Sequence, residues 1–433
     1  MKYYSTNKQE FGVSLCDAVV RGLASDKGLF MPDEIKKLPA EFFDNIEHLS
    51  LQEMAYAVAN AFFGEDIHAD DLKSIVYDTL NFEIPLINVE KNIYTLELFH
   101  GPTLAFKDVG ARFMSRLLGY FVKKQGLSDV NVLVATSGDT GSAVANGFLG
   151  VDGISVYVLY PKGKVSAIQE CQFTTLGKNV TAIEVDGTFD DCQRLVKTAF
   201  LDEDINKKKL LTSANSINVA RFLPQSFYYF YAYAQLKKLN KHKNVVMCVP
   251  SGNFGNITAG IFAKKMGLPI RRFVAANNSN DVFLKYLNTG EYVPCPSVST
   301  IANAMDVGDP SNFARILDLY KNNHSVIYQE IDGFAYSDNA IKSAILECFA
   351  ETKYLLDPHG ACGYLALKET LKDDENGVFL ETAHPIKFKD TVELVIGKGL
   401  EVPEKIQAFM KGKKQTVLMS KEFSDFKTYL MNL

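Results

Sequence analysis

One lysine stands where its amine could act as a nucleophile or a base. Lys107 follows Phe106 at the start of a predicted helix that runs to about Gln125 and stops at Gly126. The positive end of the helix dipole and an apolar neighbour both disfavour the charged ammonium form. Lysines of this kind attack carbonyl groups and form Schiff bases. The alternative is a solvated surface lysine whose side chain packs on Phe106.

Two glycine-containing turns each follow an apolar strand and open a helix. They span residues 136–142 (TSGDTGS) and residues 251–256 (SGNFGN). Glycines allow backbone N–H groups to converge on an anion, and the helix N-terminus behind them favours negative charge. The side chains of Asn253 and Asn256 would add neutral donors. The two turns predict two bound anionic groups at the carboxyl ends of strands, unless the glycines serve turn geometry alone.

Composition excludes several classes of protein. The chain has 433 residues, of which 47% are hydrophobic and 22% are charged, which suits a globular enzyme of two or three domains. A net charge of -5 provides no basic field for nucleic acid. No apolar run approaches a membrane span or a secretory signal, so a cytoplasmic location is predicted. The seven scattered cysteines predict reduced thiols and no metal site.

The chain divides into three predicted regions. Residues 1–92 form a mainly helical N-terminal domain, in which Ser50 and Glu53 make a capping box. Residues 93–212 alternate strand-like and helix-length segments and carry Lys107. Residues 213–433 repeat this alternation and carry the second glycine turn. The alternation predicts an α/β fold with two parallel sheets and crossover helices.

Five segments, in chain order, resemble the threonine synthase family: FHGPTLAFKDVGAR, ATSGDTGSA, NSINVARF, PSGNFGN and ETAHPIKF. The N-terminal segments YYST and GLASDKGLFMP resemble the bacterial and fungal type, which has an extra N-terminal domain. The resemblance covers essentially the whole chain. It implies the pyridoxal-phosphate fold type II of tryptophan synthase β, in which two parallel-sheet α/β domains hold the cofactor between them.

The resemblance implies pyridoxal 5'-phosphate as the cofactor and makes Lys107 its Schiff-base lysine. Thr382 is similar to the family residue that meets the pyridine nitrogen, although it could simply form the turn at a strand end. Asp139 stands where many relatives of the wider fold carry an asparagine that faces the ring hydroxyl. The implied cup for the cofactor phosphate consists of Gly252, Asn253, Phe254, Gly255 and Asn256.

The first glycine turn then gains a role in substrate binding. Ser137, Thr140 and Arg221 resemble the residues that hold the substrate phosphate and carboxylate, and the oxyanion that Arg221 takes stays open. The implied reaction converts O-phospho-L-homoserine and water into L-threonine and phosphate, by γ-elimination and β-addition. This reaction is the last step of threonine biosynthesis. Lys107 would serve as the base for the α-proton.

Two alternative functions remain. A related fold-type II lyase, such as a threonine or serine dehydratase or a phospholyase, shares the lysine and the phosphate cup. The GLASDKGLF segment and the TSGDTG turn argue against it. A catalytically silent, threonine-synthase-like binding protein is the second alternative, and the intact Lys107 argues against it. The predicted partner is a small-molecule substrate, without nucleic acid or membrane, and the predicted assembly is a monomer or homodimer.

Overall fold

The N-terminal region combines four helices with a small sheet. The computed structural model describes residues 1–433, and here it contains β1 (Lys2–Ser5), β2 (Val13–Ser14), α1 (Leu15–Arg21), β3 (Phe30–Pro32), α2 (Ala40–Asn45), α3 (Leu51–Phe63) and α4 (Ala69–Thr79). The three strands pair antiparallel in the order β2-β1-β3. Strands of two to four residues are too short to show an alternating pattern, so the sequence indicated only helices here.

Two larger sheets form the rest of the molecule. Their strands are β4 (Leu86–Glu90), β5 (Ile93–Glu97), β6 (Val130–Ala135), β7 (Ile154–Pro161), β8 (Val180–Asp186), β9 (Leu210–Ser213), β10 (Val245–Pro250), β11 (Ile270–Asn277), β12 (Ile331–Ala335), β13 (Asn376–Glu381) and β14 (Thr416–Ser420). One sheet has the order β12-β11-β10-β13-β5-β4 and is parallel except for β4. The other, β14-β8-β7-β6-β9, is wholly parallel. The predicted α/β fold is confirmed.

Helices surround both sheets. They are α5 (Lys107–Gln125), α6 (Asp139–Phe148), α7 (Ala167–Thr174), α8 (Phe189–Leu201), α9 (Glu203–Lys208), α10 (Val219–Phe222), α11 (Ser226–Lys238), α12 (Gly255–Lys265), α13 (Val282–Thr289), α14 (Phe313–Leu319), α15 (His324–Glu330), α16 (Asp338–Thr352), α17 (Pro358–Thr370), α18 (Lys389–Ile396), α19 (Glu404–Met410) and α20 (Phe423–Met431). Short 3₁₀ turns occur at Ile46–His48, Leu223–Gln225, Asn303–Met305 and Pro385–Phe388. None of the helices combines the length and the apolar character that crossing a membrane requires.

Both large sheets contain strands from distant parts of the chain. Strand β5 precedes the lysine-bearing helix but pairs with β13 of the six-stranded sheet. Strand β14, near the C-terminus, pairs with β8 of the five-stranded sheet. The chain therefore crosses between the sheets more than once. The predicted domain boundaries after residues 92 and 212 stay a prediction.

The helix that carries Lys107 has the bounds that the sequence predicts. Helix α5 begins at Lys107 and ends at Gln125, where Gly126 adopts a left-handed conformation with φ 62°. Its buried face packs on the N-terminal region, since the rings of Phe63 and Phe113 lie 5.1 Å apart. One continuous apolar core joins the N-terminal helices to this helix. The N-terminal region thus supports the element that positions the candidate lysine.

The capping box of α3 provides a test of local stability. Ser50 Oγ accepts the Glu53 N–H at 3.2 Å, and the Glu53 carboxylate accepts the Ser50 N–H at 2.9 Å. We expect Ser50→Ala to lower the free energy of unfolding by about 1 kcal/mol, because the Glu53 N–H loses its acceptor. Denaturant unfolding measures this loss. Ser74→Ala, at an exposed position of α4, is the control; an equal loss in both variants would contradict the assignment.

Candidate active site

The segment before Lys107 pairs with the segment that follows β13. Ala105 and Ala383 form an isolated antiparallel bridge, and the Phe106 N–H donates to the Thr382 carbonyl at 2.8 Å. This pairing places Lys107 beside Thr382, although the two residues lie in different motifs. The Thr382 hydroxyl forms no hydrogen bond within the protein. The structure therefore brings together two residues that the sequence predicted separately.

The Lys107 amine has no partner within the protein. Its Nζ lies 5.8 Å from the centre of the Phe106 ring and forms neither a hydrogen bond nor an ion pair. Burial lowers the pKa of Lys107 from 10.5 to about 8, while Asp139 opposes the shift and Arg221 and Lys387 reinforce it. At neutral pH a much larger fraction of this amine is neutral than of a surface lysine. The amine is thus suited to nucleophilic attack.

The second glycine turn presents a row of unused donors. The backbone N–H groups of residues 252–256 donate to no acceptor in the protein. Phe254 holds the turn in a left-handed conformation, with φ 60°. A Cβ on Gly252 would lie 2.7 Å from backbone atoms of Ala304 and Met305, so only glycine fits there. Five converging N–H groups at the start of α12 form a cradle for an anion.

The amide side chains of this turn face into the protein. Asn253 Nδ2 donates to Ser216 Oγ at 2.6 Å. Asn256 Nδ2 donates to the Pro250 carbonyl at 2.8 Å, and its Oδ1 accepts from Ser251 Oγ at 2.8 Å. Each side-chain amide therefore donates once within the protein, and the expectation that these side chains add donors for an anion stays a prediction. They fix the shape of the turn, and the backbone supplies the free donors.

The first glycine turn also has free donors. Thr136 Oγ1 accepts the N–H groups of Gly138 and Gly141, at 2.9 Å and 2.8 Å, and so shapes the turn. Ser137 and Thr140 are half-buried, and neither their hydroxyls nor their backbone N–H groups have a partner in the protein. The two hydroxyls that the sequence singled out are thus available to a ligand.

Arg221 is a buried cation without a carboxylate partner. Its Nη1 donates to the Ala214 carbonyl, and its buried Nε has no partner. The side chain packs against Gly110, one turn along α5 from Lys107, where a Cβ would lie 3.3 Å from Arg221 Nε. Burial lowers the pKa of Arg221 to about 10, with Asp108 opposing, so the guanidinium stays charged at neutral pH. A buried cation in this state favours binding of an anion.

Arg315 is a buried arginine that was not predicted from the sequence, and it connects the segments around the site. Arg315 donates to the carbonyls of Phe30 and Ser216, each at 3.1 Å. Asn312 Nδ2 donates to Ser216 Oγ, which also accepts from Asn253. The network connects the second glycine turn, the Arg221 segment and strand β3. No local pattern in the sequence distinguishes Arg315 from other helical arginines, because its importance comes from long-range contacts.

A buried ion pair lies beside the first glycine turn. Asp139 Oδ1 lies 2.7 Å from Lys387 Nζ and accepts Gln169 Nε2 at 2.8 Å. Burial opposes ionisation, but the cations of Lys387 and Lys107 hold the pKa of Asp139 well below its usual value. The sequence left the charge of Asp139 open, and the structure indicates a carboxylate. Lys387 belongs to the ETAHPIKF motif, yet its role was not predicted.

Comparison with known proteins identifies the family. The model of the family "Pyridoxal-phosphate dependent enzyme" matches residues 80–382. The "Threonine synthase N terminus" and "Threonine synthase, C-terminal" models match residues 2–80 and 360–430. A threonine synthase of Haemophilus influenzae is 43% identical over 431 residues, which cover 100% of both chains. The chain belongs to the threonine synthase family.

Solved threonine synthases share the whole fold. The crystal structure of the Escherichia coli threonine synthase matches with a TM-score of 0.93 and 40% identity, over 100% of both chains. A pyridoxal-phosphate-bound threonine synthase from Brucella melitensis matches with a TM-score of 0.94 and 34% identity, over 100% of this chain and 99% of that one. The predicted fold type II and the predicted cofactor are confirmed.

The donor set of the site suits pyridoxal phosphate. The free N–H groups of residues 252–256 match the needs of a phosphate, and the Lys107 amine matches an aldehyde. The free Thr382 hydroxyl is a neutral partner for a ring nitrogen. These assignments, and those of Asp139, Ser137, Thr140 and Arg221, stay predictions.

The close contact at Gly252 provides a test of the cradle. We expect Gly252→Ala to weaken binding of pyridoxal phosphate by about tenfold or more, because the new Cβ would displace the turn from Ala304 and Met305. Titration of the apoenzyme with the cofactor measures the affinity. Gly399→Ala is the matched control, since its Cβ would meet only Glu393, at 3.8 Å. Unchanged affinity in Gly252→Ala would remove this turn from the cofactor site.

Proposed function

We propose that the protein is a threonine synthase, which converts O-phospho-L-homoserine and water into L-threonine and phosphate. One observation carries the proposal: the chain combines the partner-free amine of Lys107, which Asp139 and Arg221 approach, with two separate groups of unused anion donors. One group suits the phosphate of the cofactor, and the other suits the anionic groups of the substrate. The similarity to threonine synthases extends over the whole chain and supports this assignment.

The proposed roles in cofactor binding follow from the free donors. The N–H groups of residues 252–256 would hold the cofactor phosphate, Lys107 would bind the aldehyde, and the Thr382 hydroxyl would be the partner of the ring nitrogen. Pyridoxal phosphate, when bound, supplies the electron sink that stabilises negative charge on the substrate carbon atoms. A neutral hydroxyl beside the ring nitrogen does not hold a proton on it, as a carboxylate would.

Lys107 is proposed to move the proton at the α-carbon of the substrate. As a free amine, Lys107 Nζ would accept that proton. Its pKa of about 8 lies close to neutral pH, so both protonation states are accessible to the amine. An ordinary lysine, which stays protonated, would be a poor base under the same conditions.

The proposed substrate contacts use the remaining donors. Ser137 and Thr140 offer free hydroxyls from the first glycine turn, and Arg221 offers its Nη2, which has no partner in the protein. Arginine suits this role because its planar guanidinium binds an oxyanion in two places. The substrate carries a phosphate and a carboxylate, and Arg221 is assigned to one of these two groups. The partner of the protein is thus a small anionic amino acid.

Product analysis tests the proposed reaction. We expect the cofactor-loaded protein to release threonine and phosphate in equal amounts from O-phospho-L-homoserine. Lys107→Ala should lose nearly all of this activity, because the base is removed. Phosphate accompanied by 2-oxobutyrate would indicate a phospholyase instead. No release of phosphate would contradict the proposal and favour a silent binding protein.

Substitution of Arg221 tests the substrate contacts separately. We expect Arg221→Gln to raise the KM for O-phospho-L-homoserine by about 10- to 100-fold, the range of one charge-assisted hydrogen bond of about 1.5–3 kcal/mol. Affinity for pyridoxal phosphate should change little. Steady-state kinetics and cofactor titration measure the two effects.

A surface substitution provides the control for this experiment. Arg194 lies on α8 and pairs with Asp191 at 3.0 Å, and Arg194→Gln removes the same charge away from the site. Weaker inhibition of Arg221→Gln by inorganic phosphate would assign Arg221 to the substrate phosphate. Weaker inhibition by L-2-aminobutyrate would assign it to the carboxylate. An unchanged KM would show that Arg221 contacts neither group.

A further inference from the structure

Lys387 is a buried lysine that the proposed roles do not use. Its side chain is fully buried, and its Nζ lies 2.7 Å from Asp139 Oδ1. The same Nζ donates to the Thr103 carbonyl at 2.8 Å. Thr103 lies in the segment that leads into Lys107, and Asp139 begins helix α6. Lys387 therefore connects the lysine-bearing segment to the first glycine turn.

Asp139 is held by only one of its two oxygens. Oδ1 meets Lys387 and accepts the Gln169 amide, whereas Oδ2 has no hydrogen-bond partner and is not enclosed by protein atoms. The opposite charge of Lys107 acts on the same carboxylate. The ion pair thus fixes the orientation of Asp139 and leaves Oδ2 without a partner.

The charged groups around Lys107 come from several elements. Asp108, its neighbour on α5, accepts from the backbone and hydroxyl of Thr103 at 2.9 Å and 2.6 Å. Asp139 approaches from α6, Arg221 from α10 and Lys387 from the 3₁₀ turn that precedes α18. Asp139 favours the charged form of the Lys107 amine, and the two cations favour the neutral form.

We propose that Lys387 is a positioning residue for the reaction: it fixes the Asp139 carboxylate beside Lys107 and, by its own charge, opposes protonation of the Lys107 amine. The proposal rests on the proposed function, because it concerns the same amine. Without Lys387, Asp139 would be free to form a tight ion pair with Lys107. The protonated form of the amine would then be favoured, and its attack on the cofactor aldehyde would be slower.

The sign of the effect follows from simple electrostatics. Removing a nearby cation raises the pKa of Lys107, and removing a nearby anion lowers it. Lys387→Met and Asp139→Asn should therefore shift the pH dependence of the amine in opposite directions. Both substitutions also leave one buried charge without its partner, so both should destabilise the fold. If Lys387 had a purely structural role, both variants would lose stability, but the pH dependence of the Lys107 amine would not shift in opposite directions.

Capture of pyridoxal phosphate by the apoenzyme measures this effect without turnover. The absorbance change is recorded across a range of pH, and the midpoint of the capture rate reports the deprotonation of Lys107. We expect the midpoint to move up by about one pH unit in Lys387→Met, a loss of about tenfold in rate at pH 7, and to move down in Asp139→Asn. The cofactor is the same throughout, so its own ionisation cancels in the comparison.

Control variants distinguish a failure of the role proposed for Lys387 from a failure of the proposed function. Lys389→Met removes a charge two residues away, where Lys389 is partly exposed and 3.7 Å from Glu393, and it should leave the midpoint unchanged. If Lys387→Met does not fold, Lys387→Gln replaces it, because the amide can still donate to Thr103 and lacks the charge. Equal capture by wild-type protein and Lys107→Ala would contradict the proposed function itself. A midpoint that is unchanged, or that moves in the same direction as in Asp139→Asn, would overturn the role of Lys387 alone.

Discussion

The short antiparallel bridge between Ala105 and Ala383 is the constraint on which the site depends. It forms where the chain leaves β13 and meets the segment that enters α5, and it fixes Thr382 beside Lys107. Leu104, inside this segment, adopts a left-handed φ of 57°, which is rare for a leucine and indicates local strain. The surrounding contacts hold that strain, because Asp108 and Lys387 both bind the backbone of Thr103.

Charged and polar groups without full compensation distinguish this site from the rest of the core. Lys107 has no partner, Arg221 has no carboxylate, and the backbone donors of residues 252–256 are unused. Such groups cost free energy when buried, so a fold retains them where a ligand completes the set. The contrast with Arg315 is informative. That arginine is equally buried, but backbone carbonyls and Asn312 accept all of its donors, and it holds the segments together.

The sequence predicted the elements of the site better than their contacts. The helix from Lys107 to Gln125 was predictable, because helical spacing and a stop at Gly126 are local signals. The glycine turns were predictable for the same reason. The orientation of the Asn253 and Asn256 side chains was not predictable, since it depends on tertiary contacts such as the one between Asn253 and Ser216. The strand exchange that places β14 beside β8 likewise leaves no periodic signal. The short N-terminal strands were missed because two to four residues cannot show alternation.

The most direct test of the account identifies the lysine that binds the cofactor. Two lysines, the half-buried Lys107 and the buried Lys387, lie at the site, and only Lys107 is free of protein partners. Reduction of the cofactor-loaded protein with borohydride fixes the cofactor to its lysine, and peptide mass spectrometry then locates the modification. The account predicts modification of Lys107 and none of Lys387. Modification of Lys387, or of a lysine outside the site, would contradict it.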